Sequence, residues 1–434
     1  MKILFSFFFC LVFVNAHSQS LYFPPKDNSN WDTIQPSSLG WCVDTVDSLY
    51  AYLENTNTDA FIILKDGKIV LEKYFGSFNQ SSTHYWASAG KSLTAMMIGI
   101  AQQKGLLNIN TIVSTYLGTG WTNAPVAKEN AIKVRHLLTM TSGLNDAPNL
   151  PCTNEDDAAS CLQYLADTST RWSYHTGAYR KLEDIITTVS NQNYSVVTKN
   201  YIGNKIGMNG LWLNSVFYST ARDMAKFGLL TLNKGIWEQD TVLNDSNYFN
   251  AMTNTSQNHN KAYGYLWWLN GKSAFMLPQS QLVFPFTFIP SAPADMFCAL
   301  GKNDQKIYIV PSQNMVVIRM GESAYNSLAW SPYDTILWHY IKELGNGCTV
   351  TNIQTKKSNE NLKLFPNPAN NFISFNGFSN SSVIQYSIIN LFGQLVKQDI
   401  TYNHSIDISD LPSGQYILSL EDDEQQTSKQ FIKK

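Results

Sequence analysis

Residues 86–91 read Trp86-Ala87-Ser88-Ala89-Gly90-Lys91. They stand directly before a run in which apolar residues recur at helical spacing until Gly105, so we expect an amphipathic helix to begin here. Ser88 then lies at or near the N-terminus of that helix, and Lys91 lies one turn further along the same face. If burial favours its neutral form, such a lysine can take the proton of the serine hydroxyl.

This spacing is weak evidence by itself, because an N-cap serine followed by a surface lysine is its commoner meaning. The predicted strands and helices on either side of this segment indicate the fold class. Asp66-Gly67 is a pair favoured in tight hairpin turns. Strands are predicted on both sides of it and again late in the chain, and helices are predicted between and after them: strands 60–64, 68–73, 306–310 and 315–320, and helices 219–232 and 333–344. This order indicates an α+β fold with an antiparallel sheet flanked by helices.

Two further segments are candidates for the same chemistry. Tyr174 lies in an aromatic stretch at 172–179, and a tyrosine oxygen held near cations can carry protons between a nucleophile and a leaving group. The alternative is a packed aromatic loop. Gly301 and Lys302 end a predicted strand, where a backbone N–H can be donated to an oxyanion. The alternative there is an ordinary core strand.

Together these motifs resemble a known family. Ser88-Ala89-Gly90-Lys91 is similar to the first motif of serine β-lactamases, penicillin-binding proteins and their esterase and amidase relatives. Further segments resemble the class C β-lactamase-related branch in the same order: residues 134–144, 174–176, 219–228 and 263–268. The resemblance covers about residues 40–345. It implies the β-lactamase/transpeptidase-like fold, in which an antiparallel sheet flanked by helices is joined by a helical subdomain.

The resemblance also implies roles for particular residues. Ser88 is the acylated nucleophile, Lys91 is its base, and Tyr174 carries protons during acylation and deacylation. The backbone N–H groups of Ser88 and of the strand near Lys302 form the oxyanion hole. No cofactor and no metal is implied.

This sequence departs from the family pattern at two positions. Thr176 stands where the branch has Asn, and Ala299-Leu300-Gly301 stands where β-lactamases have Lys-Thr-Gly. A lysine at the second position holds a substrate carboxylate, a charge-assisted contact worth about 1.5–3 kcal/mol. Lys302 and Arg319 are candidates to replace it. The candidate substrate-binding residues are therefore Thr176, Ala299, Gly301 and Lys302, and a small ester or amide is favoured over a penicillin-like substrate.

The beginning of the chain predicts export. Lys2, the apolar run from 3 to 14 and the small residues at 16–18 are typical of a signal peptide over residues 1–18. The run is too short to span a bilayer, which takes about 20 apolar residues. Five cysteines remain after its removal, and an odd number leaves at least one without a partner in the chain. Cys152 and Cys161 either close a short acidic loop as a disulfide or remain two loop thiols.

The end of the chain has a different texture. Residues 351–361 are polar and are predicted to link a hydrolase domain at 19–350 to a module at 362–434. That module has short alternating apolar runs, typical of a small β-sandwich. Leu364-Phe365-Pro366-Asn367-Pro368-Ala369 resembles the start of a type IX secretion sorting domain, which implies a secretion machinery as partner and an extracellular or cell-surface location. A carbohydrate-binding sandwich is the alternative.

Composition narrows the functional class. The net charge of −2 over 434 residues gives no support for a nucleic-acid or polybasic membrane partner. The seven histidines are scattered, so a metal site has little support. Besides an exported serine hydrolase of esterase or amidase type, two alternatives remain open. One is a β-lactamase or D-Ala-D-Ala peptidase, and the other is a non-catalytic surface binding protein with the same fold.

Overall fold

The computed structural model describes residues 21–27, 30–324, 332–346, 362–378, 384–391, 394–422 and 426–434. The predicted signal peptide at 1–18 and the predicted linker at 351–361 lie outside the described residues. Each of the two large parts that are described has its own hydrophobic core.

The α-helices of the described residues all lie before residue 347. In chain order they are α1 Val43–Asn55, α2 Gly90–Gln103, α3 Ser114–Leu117, α4 Val126–Glu129, α5 Val134–Leu138, α6 Thr176–Ser190, α7 Tyr194–Thr198, α8 Asn204–Ile206, α9 Ala221–Leu232, α10 Ser246–Met252 and α11 Pro332–Glu343. A π-helical turn, Lys199–Gly203, connects α7 to α8.

Most strands of this first part are short. They are β1 Thr58–Lys65, β2 Lys68–Tyr74, β3 Thr83–Tyr85, β4 Leu211–Leu213, β5 Val216–Thr220, β6 Ile236–Trp237, β7 Asp240–Thr241, β8 Trp268–Leu269, β9 Phe275–Met276, β10 Val283–Phe284, β11 Phe297–Gly301, β12 Gln305–Val310 and β13 Met315–Gly321. The C-terminal part contributes β14 Leu364–Phe365, β15 Phe372–Phe375, β16 Ile384–Asn390, β17 Leu395–Thr401, β18 Ser405–Asp407, β19 Gly414–Glu421 and β20 Gln426–Lys433.

A six-stranded sheet in the order β2-β1-β13-β12-β11-β8 forms the centre of the first part. Its neighbouring strands all pair antiparallel, as the sequence predicts. The β1–β2 hairpin turns at Asp66 and Gly67, whose φ angles are +52° and +84°. Both angles are positive, as a type I′ turn requires. A Cβ on Gly67 would lie 1.9 Å from the carbonyl oxygen of Tyr22, so only glycine fits this position.

Helix α9 covers one face of this sheet. It contacts β12 and β13, and a Cβ on Gly228 would lie 2.5 Å from a methyl carbon of Val316. The sequence predicts this helix from residue 219, but Ser219 and Thr220 are the last residues of β5. Thr220 instead caps α9, because its side chain accepts a hydrogen bond from the N–H of Asp223.

The Ser88 segment lies between the sheet and a group of packed helices. Helix α6 packs against α2, α3 and α5, and almost all of α2 is buried. Cys152 and Cys161 form a disulfide, so the first of the two readings of that loop is confirmed. Cys42 is also disulfide-bonded, whereas Cys298 is a buried free thiol.

The C-terminal strands form two small sheets, in the orders β14-β15-β18 and β17-β16-β19-β20. Buried residues from both sheets share one core, which includes Ile373, Ile388, Leu418 and Phe431. This arrangement matches the predicted small sandwich. Among the described residues, no helix combines the length and the apolar character needed to cross a bilayer.

Candidate active site

Ser88 lies in a tight turn that leads directly into α2. Residues Ala87–Ala89 form a single 3-10 turn, and Trp86 before it is fully buried. The Trp86 backbone N–H donates to the carbonyl of Phe217 at 2.8 Å, and its indole N–H donates to Ser219 Oγ at 2.9 Å. The turn that presents Ser88 is therefore fixed to β5.

Backbone strain accompanies this turn. Ala87 has a φ of +47°, which costs an alanine roughly 1–3 kcal/mol. Non-glycine residues keep such angles only where surrounding contacts enforce them, and they cluster at functional sites. The residue next to Ser88 thus carries the kind of distortion that is expected at a nucleophile.

Lys91 Nζ lies 3.0 Å from Ser88 Oγ, so the structure brings together the pair that the sequence predicts. The lysine is only 4% exposed, and its burial lowers the pKa of Lys91 to about 8. Arg180 also lowers this pKa, whereas Glu155 and Glu183 raise it. At neutral pH roughly one lysine in ten is then unprotonated and able to accept a proton.

Two tyrosine rings enclose the ammonium group. Nζ lies 4.6 Å from the ring centroid of Tyr179 and 5.2 Å from that of Tyr174. Tyr179 is held in turn by the hydroxyl of Thr94, 2.8 Å from its own hydroxyl. Tyr179 is not among the site residues predicted from the sequence. The only sequence signal for it is its position one helical turn after the 174–176 segment.

Tyr174 completes the group. Burial raises the pKa of Tyr174, and the Ser88 hydroxyl lies near enough to the phenol oxygen to offset part of that rise. The phenol is therefore protonated at neutral pH. Its ring stacks on Trp268, with centroids 6.2 Å apart and planes 19° apart, and Trp268 itself stacks on Phe288. An aromatic wall thus fixes the tyrosine at one side of Ser88.

The helix that follows Tyr174 is capped by a neutral histidine. Nδ1 of His175 accepts a hydrogen bond from the Ala178 N–H at 3.3 Å. Burial lowers the pKa of His175 to about 4, so the imidazole is neutral and can accept this bond. Thr176, the residue in place of the family's Asn, is buried at the start of α6.

Strand β11 also approaches Ser88. A Cβ on Gly301 would lie 2.3 Å from the carbonyl oxygen of Trp86 and 3.2 Å from the Ala87 Cβ. The end of β11 therefore abuts the turn that carries Ser88, and Lys302 follows with an exposed side chain. Ala299 is buried in the same strand, and its methyl side chain can supply neither a charge nor a hydrogen bond to a substrate.

Arg319, the other candidate to replace the missing lysine, is committed elsewhere. It is fully buried and donates to the carbonyls of Thr56, Asn57 and Glu322. A substrate carboxylate cannot reach it without breaking these bonds. Of the two candidates, only Lys302 remains accessible.

A cavity of about 500 Å³ borders the Tyr174 segment and is lined by Asn145, Asp146, Ala147, Pro148, Thr153, Asn154, Leu165, Arg171, Gln279 and Gln281. Asn154 joins it to the candidate site, because its side chain donates to the carbonyl of Tyr174. Ser88 and Lys91 do not line this cavity. Within the part of the chain that the structure describes, no group of His, Cys, Asp and Glu is arranged to hold a metal ion.

Comparison with known families gives two matches along the chain. Residues 51–329 match the family model described as beta-lactamase. Residues 363–434 match the model described as a secretion system C-terminal sorting domain. Ser88, Lys91, Tyr174 and Gly301 all fall within the first match.

Individual relatives agree with the first match. A putative penicillin-binding protein of Bacillus subtilis, PbpX, is 31% identical over 170 residues, which is 37% of this chain and 41% of that protein. The match thus spans less than half of that relative's own length. Among solved structures, a putative 6-aminohexanoate-dimer hydrolase from Bacillus anthracis is 20% identical with a TM-score of 0.57, over 75% of this chain and 89% of its own. A putative beta-lactamase from Bacteroides dorei is 16% identical with a TM-score of 0.56, over 70% and 99%. These structures share the fold of the first part of this chain.

Proposed function

Because the chain belongs to the beta-lactamase family, we propose that it is an exported serine hydrolase that acts on a small ester or amide through an acyl-Ser88 intermediate. One observation carries the proposal. Lys91 Nζ lies 3.0 Å from Ser88 Oγ, and burial lowers the pKa of that lysine to about 8. A nucleophile beside a base of suitable pKa is what serine acylation needs.

The reaction proceeds in two halves. Neutral Lys91 accepts the Ser88 proton while Oγ attacks the carbonyl carbon of the substrate. The protonated Tyr174 passes its proton to the leaving oxygen or nitrogen, and Lys91 restores it, so acyl-Ser88 and a neutral leaving group result. Water then attacks the acyl carbon, its proton passes to the Lys91–Tyr174 pair, and Ser88 regains a proton as the acid departs.

The surroundings of β11 support the choice of substrate class. Ala299 is apolar and buried, and Arg319 is bonded to backbone carbonyls. A β-lactam or a D-Ala-D-Ala end carries a carboxylate, and of Ala299, Lys302 and Arg319 only the exposed Lys302 is available to pair with it. An ion pair with an exposed lysine contributes little, so burying the carboxylate remains costly. An ester or amide without a carboxylate avoids this cost. Thr176, Gly301 and Lys302 remain the proposed substrate-binding and oxyanion-hole positions.

A covalent probe tests the nucleophile directly. After incubation with a fluorophosphonate, mass spectrometry of the parent protein is expected to find Ser88 modified, whereas Ser88→Ala remains unmodified at this segment. A panel of p-nitrophenyl esters and anilides is expected to be hydrolysed by the parent only. Equal hydrolysis by parent and Ser88→Ala would favour a non-catalytic binding protein instead.

A β-lactamase or D-Ala-D-Ala peptidase is the second candidate function. The observation that favours it is the relative in Bacillus subtilis, whose name describes it as a putative penicillin-binding protein. Labelling by a fluorescent penicillin that disappears in Ser88→Ala would support this candidate. We expect no labelling above the Ser88→Ala background, because no lysine stands at position 299.

Domain organisation and location complete the proposal. Residues 1–18 are a signal peptide, residues 19–350 form the hydrolase domain, and residues 351–361 link it to a sorting domain at 362–434. The match to a secretion system C-terminal sorting domain supports the last assignment. The partner of that domain is the type IX secretion machinery, which places the enzyme outside the cell or at its surface.

A further inference from the structure

The loop between Cys152 and Cys161 lies against the segment that carries Tyr174. The disulfide closes this loop, and its acidic residues meet basic residues of α6. Glu155 pairs with Arg180 at 3.5 Å, and Asp157 pairs with Lys181 at 3.7 Å. Each exposed ion pair of this kind contributes little free energy, so these pairs alone do not hold the loop in one position on α6.

Asn154 makes the contacts that fix atoms. Its Nδ2 donates to the carbonyl of Tyr174 at 3.0 Å and to that of Asp146 at 2.8 Å. Its Oδ1 accepts from the Thr176 N–H at 3.0 Å, and its backbone carbonyl accepts from the Gly177 N–H at 2.8 Å. One residue therefore holds three backbone groups within the four residues that begin at Tyr174.

The close fit extends to Asp156, two residues further along the loop. A Cβ on Gly177 would lie 2.0 Å from the carbonyl oxygen of Asp156, so the loop backbone lies directly on the first turn of α6. Thr176 N–H and Gly177 N–H are first-turn donors that have no partner inside the helix. Asn154 supplies partners for both N–H groups, which lie two and three residues after Tyr174.

We propose that Asn154 is a positioning residue for Tyr174, and that the Cys152–Cys161 disulfide serves this role by fixing the loop that carries it. The proposal rests on the proposed function, in which Tyr174 moves protons at Ser88. Asn154 acts through the backbone of Tyr174 and touches no reacting atom. A misplacement of a catalytic group by about 1 Å can cost roughly 100-fold in rate, so the rate of acylation is the sensitive quantity.

The test compares Asn154→Ala with the parent in the full chain. Burst kinetics with p-nitrophenyl acetate give separate rate constants for acylation and deacylation, and circular dichroism gives the folded fraction. We expect both rate constants to fall by about 10- to 100-fold in protein that remains folded at the assay temperature. Asn193→Ala is the matched control. The side-chain oxygen of Asn193 caps α7 by accepting a hydrogen bond from the Ser195 N–H at 2.9 Å, so Asn193→Ala removes a cap from the same residue type without affecting the contacts of Tyr174.

The disulfide is tested through non-additivity. Cys152→Ser combined with Cys161→Ser is expected to slow acylation less than Asn154→Ala does. Adding the two cysteine changes to Asn154→Ala is expected to slow it no further, because residues that act through one contact do not contribute independently. Additive losses would show that the disulfide acts on the site by another route, and would overturn its assigned role.

Hydrogen exchange separates this proposal from the proposed function. In Asn154→Ala we expect faster exchange at the amide of Thr176, which loses its side-chain acceptor, measured on the peptide that contains it. Faster exchange with unchanged acylation and deacylation would overturn the positioning role while leaving the hydrolase intact. A parent protein whose Ser88 does not react with the fluorophosphonate would overturn the proposed function, and the positioning role of Asn154 with it.

Discussion

Lys91 and Lys226 are both buried lysines, and burial lowers the pKa of each to about 8. Their surroundings differ. Lys91 contacts Ser88 Oγ, whereas Lys226 donates to the carbonyl of Gly207 and its pKa is partly restored by Asp223. A comparison of variants at the two positions therefore distinguishes the effect of a lowered lysine pKa from the effect of contact with Ser88.

The pH dependence of catalysis should follow Lys91 alone. Below its pKa the lysine is protonated and cannot accept the Ser88 proton, so kcat/KM for a neutral ester is expected to rise with pH and level off above about 8. Lys226→Met should keep this rising limb. Lys91→Met should lose it, together with about 100- to 10,000-fold in rate. Initial rates between pH 5.5 and 10 measure both, and a limb that survives in Lys91→Met would exclude this lysine as the base.

The hydroxyl of Tyr174 can be removed without removing its ring. Tyr174→Phe keeps the stacking on Trp268, so the melting temperature is expected to change little. It removes the proton carrier, and kcat is expected to fall by about 100- to 10,000-fold. Tyr116→Phe is a control, because the Tyr116 hydroxyl bonds only the backbone of Asn108 in an exposed loop. Unchanged turnover in Tyr174→Phe would show that the phenol does not transfer a proton during the reaction.

These residues differ in how far the sequence alone reveals them. Ser88 and Lys91 are three residues apart, in a 3-10 turn and the first turn of the helix that continues it, so local geometry is enough to predict their contact. Tyr174 follows from a resemblance, since nothing local brings residue 174 to residue 88. Tyr179 and Asn154 were missed, because their roles arise only when α6 packs against α2 and when the 152–161 loop folds back onto α6.

Strand β11 contacts the turn that carries Ser88 at Gly301. In Gly301→Ala the added methyl carbon would lie 2.3 Å from the Trp86 carbonyl oxygen, and backbone cannot yield as a flexible side chain does. We expect a loss of about 1–3 kcal/mol of stability and slower modification of Ser88 by the fluorophosphonate. Gly345→Ala is the control, because a Cβ at Gly345 meets no atom within 4 Å. Equal labelling rates in the two variants would show that β11 does not position the turn.

Elements with a strong local signal were predicted well, and their arrangement was not. Asp66-Gly67 located the β1–β2 hairpin, and residues 306–310 and 315–320 lie within the observed β12 and β13. The insertion of β13 between β1 and β12 joins strands about 250 residues apart, which no local pattern encodes. The start of α9 was placed too early because Thr220 serves both as the end of β5 and as the helix cap.

The described residues form two hydrophobic cores that share no residue. The first includes the strands of the six-stranded sheet and the segments around Ser88 and Tyr174, and the second lies between the two small C-terminal sheets. A part that has its own core can fold by itself. The change in pattern near residue 362 predicts a domain boundary there, and the linker predicted at 351–361 lies outside the described residues.

Removal of residues 362–434 should therefore separate catalysis from export. A chain of residues 19–350 is expected to keep the parent's rate of Ser88 labelling and its melting temperature to within about 2 °C, a shift that corresponds to less than about 1 kcal/mol. The same truncation with residues 1–18, the proposed signal peptide, kept in place is expected to remain in the cell fraction of a host that has the type IX machinery, whereas the full chain is expected to reach the medium or the surface. Fractionation with an antibody against the hydrolase domain measures this difference. Full secretion of the truncated chain would contradict the sorting role, and loss of Ser88 labelling in it would show that the hydrolase domain depends on its C-terminal neighbour.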